Sequence, residues 1–185
     1  MKKLSILTVL LFLLTGCSTQ ETQLQRGMHL RDRLTRERCS FTAVIIADYG
    51  EYAYSFTLGC STDDKGDVSF IVIEPESISG IAGKLTGDTG FLTFADTALA
   101  FPMLAEGEVS PVSAPWLMIS ALRGGYIVAA GPEGDLYRLT LKDSYAETAL
   151  QVDVWLDGND LPQKAEIFWQ GRRVLSLHIE EFAFV

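Results

Sequence analysis

The chain has 185 residues with a formal net charge of −9, and 48% of them are hydrophobic against 21% charged. That balance excludes an intrinsically disordered chain and leaves room for a sizeable core. The acidic surplus argues against nucleic acid as a partner and against a body lying flat on anionic lipid.

Met1-Lys2-Lys3 is followed by an apolar run from Leu4 to Leu14 and then by Leu14-Thr15-Gly16-Cys17. Two lysines, an apolar segment and a small residue before a cysteine read as a bacterial lipoprotein signal peptide over residues 1–16. On this reading the chain is cut before Cys17, whose thiol takes a lipid. The apolar run is short for a bilayer span and no later run is more continuous, so the lipid on Cys17 is the expected membrane link, an anchor rather than a span. The protein is therefore expected outside the cytoplasm, held on a bacterial membrane. Residues 17–25, with the polar stretch Ser18 to Gln25, read as the lipidated N-terminus and tether. Residues 26–185 read as a single, monomeric domain.

Glu21 to Arg38 is charged, with Leu24, Met28, Leu30 and Leu34 among the charges. Leu30 and Leu34 lie one helical turn apart, which predicts a helix packed by a narrow apolar stripe, with Gly27 as a weak point and a solvated basic face.

Cys39 to Ala47 and Tyr52 to Cys60 flank Asp48-Tyr49-Gly50-Glu51 and read as a hairpin. The register that keeps apolar residues together sets Phe41 against Leu58, Ala43 against Phe56, Ile45 against Tyr54 and Ala47 against Tyr52. In that register Cys39 faces Cys60. In an extracytoplasmic protein such a pair reads as a disulfide, worth on the order of 3 kcal/mol in the chain-entropy account.

Further strands are expected at Asp67–Glu74 after the turn Asp63-Asp64-Lys65-Gly66, at Ser77–Leu85, at Gly90–Phe94 and at Ala98–Leu104. Ala114–Leu122 reads as a helix, with Pro115 near its start and Gly124-Gly125 beyond its end. Tyr126–Ala130, Leu136–Leu141, Leu150–Leu156, Gln163–Gln170 and Arg173–Val185 complete a meander without a βαβ rhythm. The expected fold class is α+β: a strongly curved antiparallel sheet, an incomplete β-barrel, with an N-terminal helix and a short lid helix on its concave face.

Three features carry a resemblance. Phe41-Thr42-Ala43-Val44 opens the first strand after a helix. Leu150-Gln151-Val152-Asp153-Val154-Trp155-Leu156-Asp157 leads to Leu161-Pro162-Gln163-Lys164-Ala165-Glu166-Ile167. The last strand ends Phe182-Ala183-Phe184. With the lipoprotein signal, this layout resembles the LolA/LolB-like superfamily over essentially the whole mature chain. The resemblance implies an incomplete barrel closed by a helical lid over an apolar cavity that takes lipoproteins, glycolipids or other acylated molecules. Where the carriers of that superfamily have an Arg-Pro step that latches the lid, this chain reads Glu74-Pro75, and it stops at Val185. The resemblance therefore implies binding of a lipid, acyl chain or other hydrophobic ligand rather than hand-over of lipoproteins.

No nucleophile elbow, zinc spacing or phosphate-binding glycine loop is present, and neither a metal nor a cofactor is expected. Asp63, Asp64 and Asp67 lack the later glutamate of a calcium loop and read as a turn. His29 is expected in solvent and His178 on the sheet. An enzyme is not expected. Candidate ligand-binding residues are Phe41, Ile45, Tyr54, Phe56 and Leu58 on the hairpin face and Leu117, Met118 and Leu122 on the lid helix. The same residues would equally form a filled core, and a structural or interaction module of the cell envelope is the alternative function.

Overall fold

The computed structural model describes residues 18–185, apart from residues 51, 88, 95, 96, 103, 106 and 107. The signal segment and Cys17 lie outside the described residues.

Helix α1 covers Ser18–Arg36. Strands β1 (Cys39–Asp48), β2 (Ala53–Thr62) and β3 (Val68–Glu74) follow. Next come β4 (Ala82–Thr86), β5 (Thr89–Phe94), β6 (Thr97–Pro102) and the short pair β7 (Leu104–Ala105) and β8 (Glu108–Val109). Helix α2 covers Ala114–Gly124, and the chain closes with β9 (Tyr126–Glu133), β10 (Leu136–Lys142), β11 (Gln151–Leu156), β12 (Pro162–Trp169) and β13 (Arg172–Phe184). Eleven strands form one antiparallel sheet in the order β6-β5-β4-β3-β2-β1-β13-β12-β11-β10-β9, which does not close. The α+β open curved sheet expected from the sequence is the observed fold.

Curvature has identifiable causes. Register shifts interrupt β1–β13 between Ser40 and Thr42, β2–β3 between Thr57 and Leu58, β11–β12 between Trp155 and Leu156, and β12–β13 between Ile167 and Phe168. Each irregularity bends its strand and adds twist. On the far side Gly83 and Gly90 leave space for the rings of Phe70 and Phe101; a Cβ on Gly83 would stand 2.5 Å from Phe70 Cζ.

Strand alternation sorts the sheet into two faces. Ile45 pairs with Leu177, Leu177 with Ala165, Ala165 with Val154, and Val154 with Leu139, so one apolar row crosses five strands. This row is fully buried beneath the helices. On the opposite face Asp153 stands directly across from Glu166. Trp155 packs there under Lys164 Nζ, 4.4 Å from its ring centre, and donates its indole N–H to Glu133 Oε1 at 3.1 Å.

The first hairpin keeps the expected face but not the expected register. Phe41 pairs with Cys60, Ala43 with Leu58, Ile45 with Phe56 and Ala47 with Tyr54, a displacement of two residues. A two-residue shift preserves which side chains point inward, so the apolar pattern alone does not choose between these registers. The turn does: Tyr49 N–H donates to Tyr52 O, and Asp48 Oδ1 accepts from Gly50 N–H, so the tip is one residue further along than expected. Cys39 therefore lies diagonal to Cys60, not opposite it, and both are buried free thiols. This corrects the expected disulfide.

Helix α1 also departs from expectation. Among the described residues it already runs from Ser18, ahead of the expected start at Glu21. Leu30 and Leu34 form its buried stripe, whereas Leu24 and Met28 are exposed. Gly27 is a site of close approach, not a weak point: a Cβ there would sit 3.0 Å from Ile127 Cδ1 and 3.1 Å from Leu139 Cδ2. The basic face is only partly solvated. Arg26 is paired with Asp160 and lies over the Tyr137 ring, and Arg31 is bound to the end of α2. Segment 77–85 is not one strand; a 3-10 turn at Glu76–Ile78 precedes β4.

Candidate functional site

The space between lid helix and sheet is filled at its centre. Phe41, Ile45, Leu58, Met118 and Leu122 are between 0% and 3% exposed and pack together in the core. Tyr54 and Phe56 share the inner face but lie toward the hairpin tip. Tyr54 is 51% exposed beside the Tyr49 ring, and Phe56 is partly buried. Of the residues expected to bind ligand, Leu117 borders an apolar cleft, whereas Phe56 and Phe41 border separate open spaces on the first hairpin.

The apolar cleft, of about 550 Å³, is on the other side of α2. The helix explains how it arises. Ala114, Pro115, Met118, Ile119 and Leu122 turn inward onto the sheet. Of the rest, Trp116, Leu117 and Ala121 are also apolar and border the cleft, while Ser120 and Arg123 are the polar positions of the helix. A helix with apolar residues on more than one face needs cover on more than one side. Part of that cover comes from Leu150, Val152 and Trp169, at the ends of β11 and β12, and part from Val109. The volume lies within the range of small-molecule sites, which are mostly apolar with a few placed polar groups.

Sequence reasoning missed Trp116, Leu150 and Trp169. The signal for Trp116 was present: the run Ala114-Pro115-Trp116-Leu117-Met118-Ile119 has no polar face to turn to solvent. Leu150 and Trp169 gave no such signal, because they meet α2 only through the closing curvature of the sheet.

Ser120 and Asp143 are the polar side chains lining this cleft. Asp143 Oδ1 accepts from Leu150 N–H at 3.1 Å, which holds the β10–β11 loop against the cleft wall. Helix α2 is fixed in place by main-chain contacts: Arg31 Nε donates to Leu122 O at 2.9 Å, and Arg31 also donates to Gly125 O. Glu74 accepts from Thr57 Oγ1 at 3.0 Å.

His29 is exposed, and His178 is exposed on the sheet with Nε2 3.8 Å from Glu180 Oε1. Among the described residues no group of three or more His, Cys, Asp or Glu could hold a metal ion. Burial pushes the Cys60 thiol well up, reinforced by neighbouring Cys39, and it pushes Cys39 up against the opposing effects of the Thr62 hydrogen bond and the Arg123 charge. No described helix is long and apolar enough to cross a membrane.

No protein-family model and no curated protein matches this sequence. Among solved structures the chain is similar to a conserved protein of Thermus thermophilus, with 10% identity, a TM-score of 0.48 and coverage of 88% of this chain and 87% of that one. It is similar to a LolA superfamily protein of Nitrosomonas europaea, with 12% identity, a TM-score of 0.45 and coverage of 87% and 93%. It is also similar to an outer-membrane lipoprotein-sorting protein domain of Vibrio parahaemolyticus, with 11% identity, a TM-score of 0.47 and coverage of 89% and 92%.

Proposed function

We propose that this protein is a lipid-anchored holder of a hydrophobic ligand, and that the ligand lies in the cleft beside α2. The observation that carries the reading is the cleft itself: Trp116, Leu117, Ala121, Leu150, Val152 and Trp169 leave about 550 Å³ of mostly apolar space on a well-packed domain. Monomeric proteins rarely leave such surface uncovered without a use for it. Anchoring is the second part. Cys17 directly precedes the first described helical residue, Ser18, so a lipid on Cys17 would attach the membrane to α1 without a flexible linker. Such a protein would act as a fixed receptor at one membrane rather than a shuttle.

The filled centre of the lid–sheet space favours the other reading, a non-catalytic envelope module, and one experiment separates them. Of the three tryptophans, Trp116 and Trp169 line the cleft, and Trp155 is on the opposite face of the sheet. A brominated acyl chain bound in the cleft would quench the first two and spare the third. Ala121→Phe would fill the cleft while leaving the core intact and should abolish the quenching. Acyl chains that fail to quench the unsubstituted protein would favour the filled module.

A further inference from the structure

The cleft continues past α2 into a second space of different character. Gly87, Trp116, Ser120 and Gly124 border both the apolar cleft and a vestibule of about 340 Å³ whose other walls are Lys65, Gly66, Asp67 and Arg123. The charges around that vestibule do not cancel. Asp63 and Asp67 are taken by Lys84 at 3.0 and 3.2 Å, and Asp64 is taken by Arg38 at 2.7 Å. Arg123 donates to the main-chain oxygens of Leu34 and Asp64, and among the described residues it pairs with no carboxylate. The Lys65 ammonium is likewise in no ion pair among the described residues. Lys84 carries one charge for two carboxylates, so the four cations Arg38, Lys65, Lys84 and Arg123 outnumber Asp63, Asp64 and Asp67 by one, and the surplus stands beside an apolar cleft in a chain of net charge −9. Asp143 lines the apolar cleft but not the vestibule, and it has no cationic partner among the described residues.

We propose that the ligand is an amphiphile with an anionic head, carboxylate or phosphate, seated with its head at Lys65 and Arg123 and its tail along Trp116, Leu117 and Trp169. This rests on the cleft reading above and adds polarity and orientation to it. Apolar walls focus the field of the two cations toward the vestibule. Asp143, on the cleft wall and not on the vestibule, repels an anion placed in the cleft, so a head seated there is disfavoured by an unfavourable contact as well as by the loss of a favourable one. An arginine with donors left over after binding carbonyls suits a planar or tetrahedral oxyanion.

The test compares chains of one length that differ only in the head: a fatty acid, the alkyl phosphate, the alcohol and the trimethylammonium, each titrated below its micelle concentration. The acid and the phosphate should bind about threefold to tenfold more tightly than the alcohol, the range expected for partly exposed charge pairs, and the cation should bind most weakly. Added salt should shrink the preference. Lys65→Gln should bring the acid toward the alcohol, narrowing the difference between them. Equal binding of acid and alcohol, or tightest binding of the cation, would overturn the proposal while leaving the cleft as a ligand site. If none of the four chains binds, the cleft reading falls and the proposal with it.

Discussion

Arg31 and Arg123 close the two helices onto each other. Arg31, on α1, donates to Leu122 O and Gly125 O at the C-terminal end of α2. Arg123, on α2, donates to Leu34 O in the last turn of α1. The final carbonyls of a helix lack partners within it and carry the negative end of its dipole, so a guanidinium is well placed there. Each helix thus supplies the cap of the other. This exchange fastens α2 to α1.

The exchange predicts that neither arginine tolerates lysine. An ammonium does not span the two carbonyls that Arg31 reaches, whereas the guanidinium fork does. Arg31→Lys and Arg123→Lys should each lose about 1–2 kcal/mol, and the alanine variants about 2–3 kcal/mol, read by urea unfolding. The double alanine variant should lose less than the sum of the singles, because removing either arginine already loosens the interface on which the other acts. Strict additivity would show two independent caps.

Gly27 gives the second prediction. Alanine in place of a mid-helix glycine normally stabilises by about 1 kcal/mol. Here the new methyl would press on Ile127 and Leu139 at 3.0–3.3 Å. Gly27→Ala should therefore gain much less than the usual amount, and Gly27→Val should lose about 1–3 kcal/mol through overpacking. Thermal unfolding of the two variants checks this, and a full gain for alanine would show that α1 sits away from β9 and β10.

Residues whose role is set by local pattern were readable from the sequence, and those set by curvature were not. Leu30 with Leu34, the inward alternation of Phe41, Ala43 and Ile45, and the strand–turn–strand run from Leu150 to Ile167 all announce their elements. The partner of Phe41 is different: Leu58 and Cys60 are both apolar and on one face, so the choice depended on the turn at Tyr49 and Tyr52. The cleft was least visible. Trp169 reaches the Trp116 side of α2 because successive bulges carry the end of β12 around, and no periodicity records a bulge.

Glu166 ties stability to acid pH. Burial pushes its carboxyl up, but hydrogen bonds and charge from Lys164 and Arg173 outweigh this and hold it below the usual carboxylate range. A carboxyl lowered in the folded state stabilises above its unfolded value, about 4.3, and that contribution is lost as pH falls through the folded value. Stability should therefore decline on acidification below about pH 5, and Glu166→Gln should flatten part of that decline. At neutral pH the same variant should cost about 1–2 kcal/mol, at the low end for charged hydrogen bonds, because Lys164 and Arg173 are half-exposed and regain water.

The two thiols supply a prediction in which magnitude decides between states. Cys39 N–H is bound to Thr62 Oγ1 at 2.8 Å, and Thr62 Oγ1 lies 3.5 Å from Cys39 Sγ, so the residue opposite Cys39 is threonine. Burial keeps both sulfurs protonated at neutral pH, and only a thiolate attacks an alkylating reagent. In the folded protein Cys39 and Cys60 should resist iodoacetamide at pH 8, and in the unfolded, unreduced protein both should label. Cys60→Ala removes a small buried group and should cost about 1 kcal/mol, whereas loss of a native disulfide would cost about 2–5 kcal/mol. A large loss, together with no labelling of the unreduced unfolded chain, would mean that the two cysteines are bonded across the diagonal that the observed register sets between them.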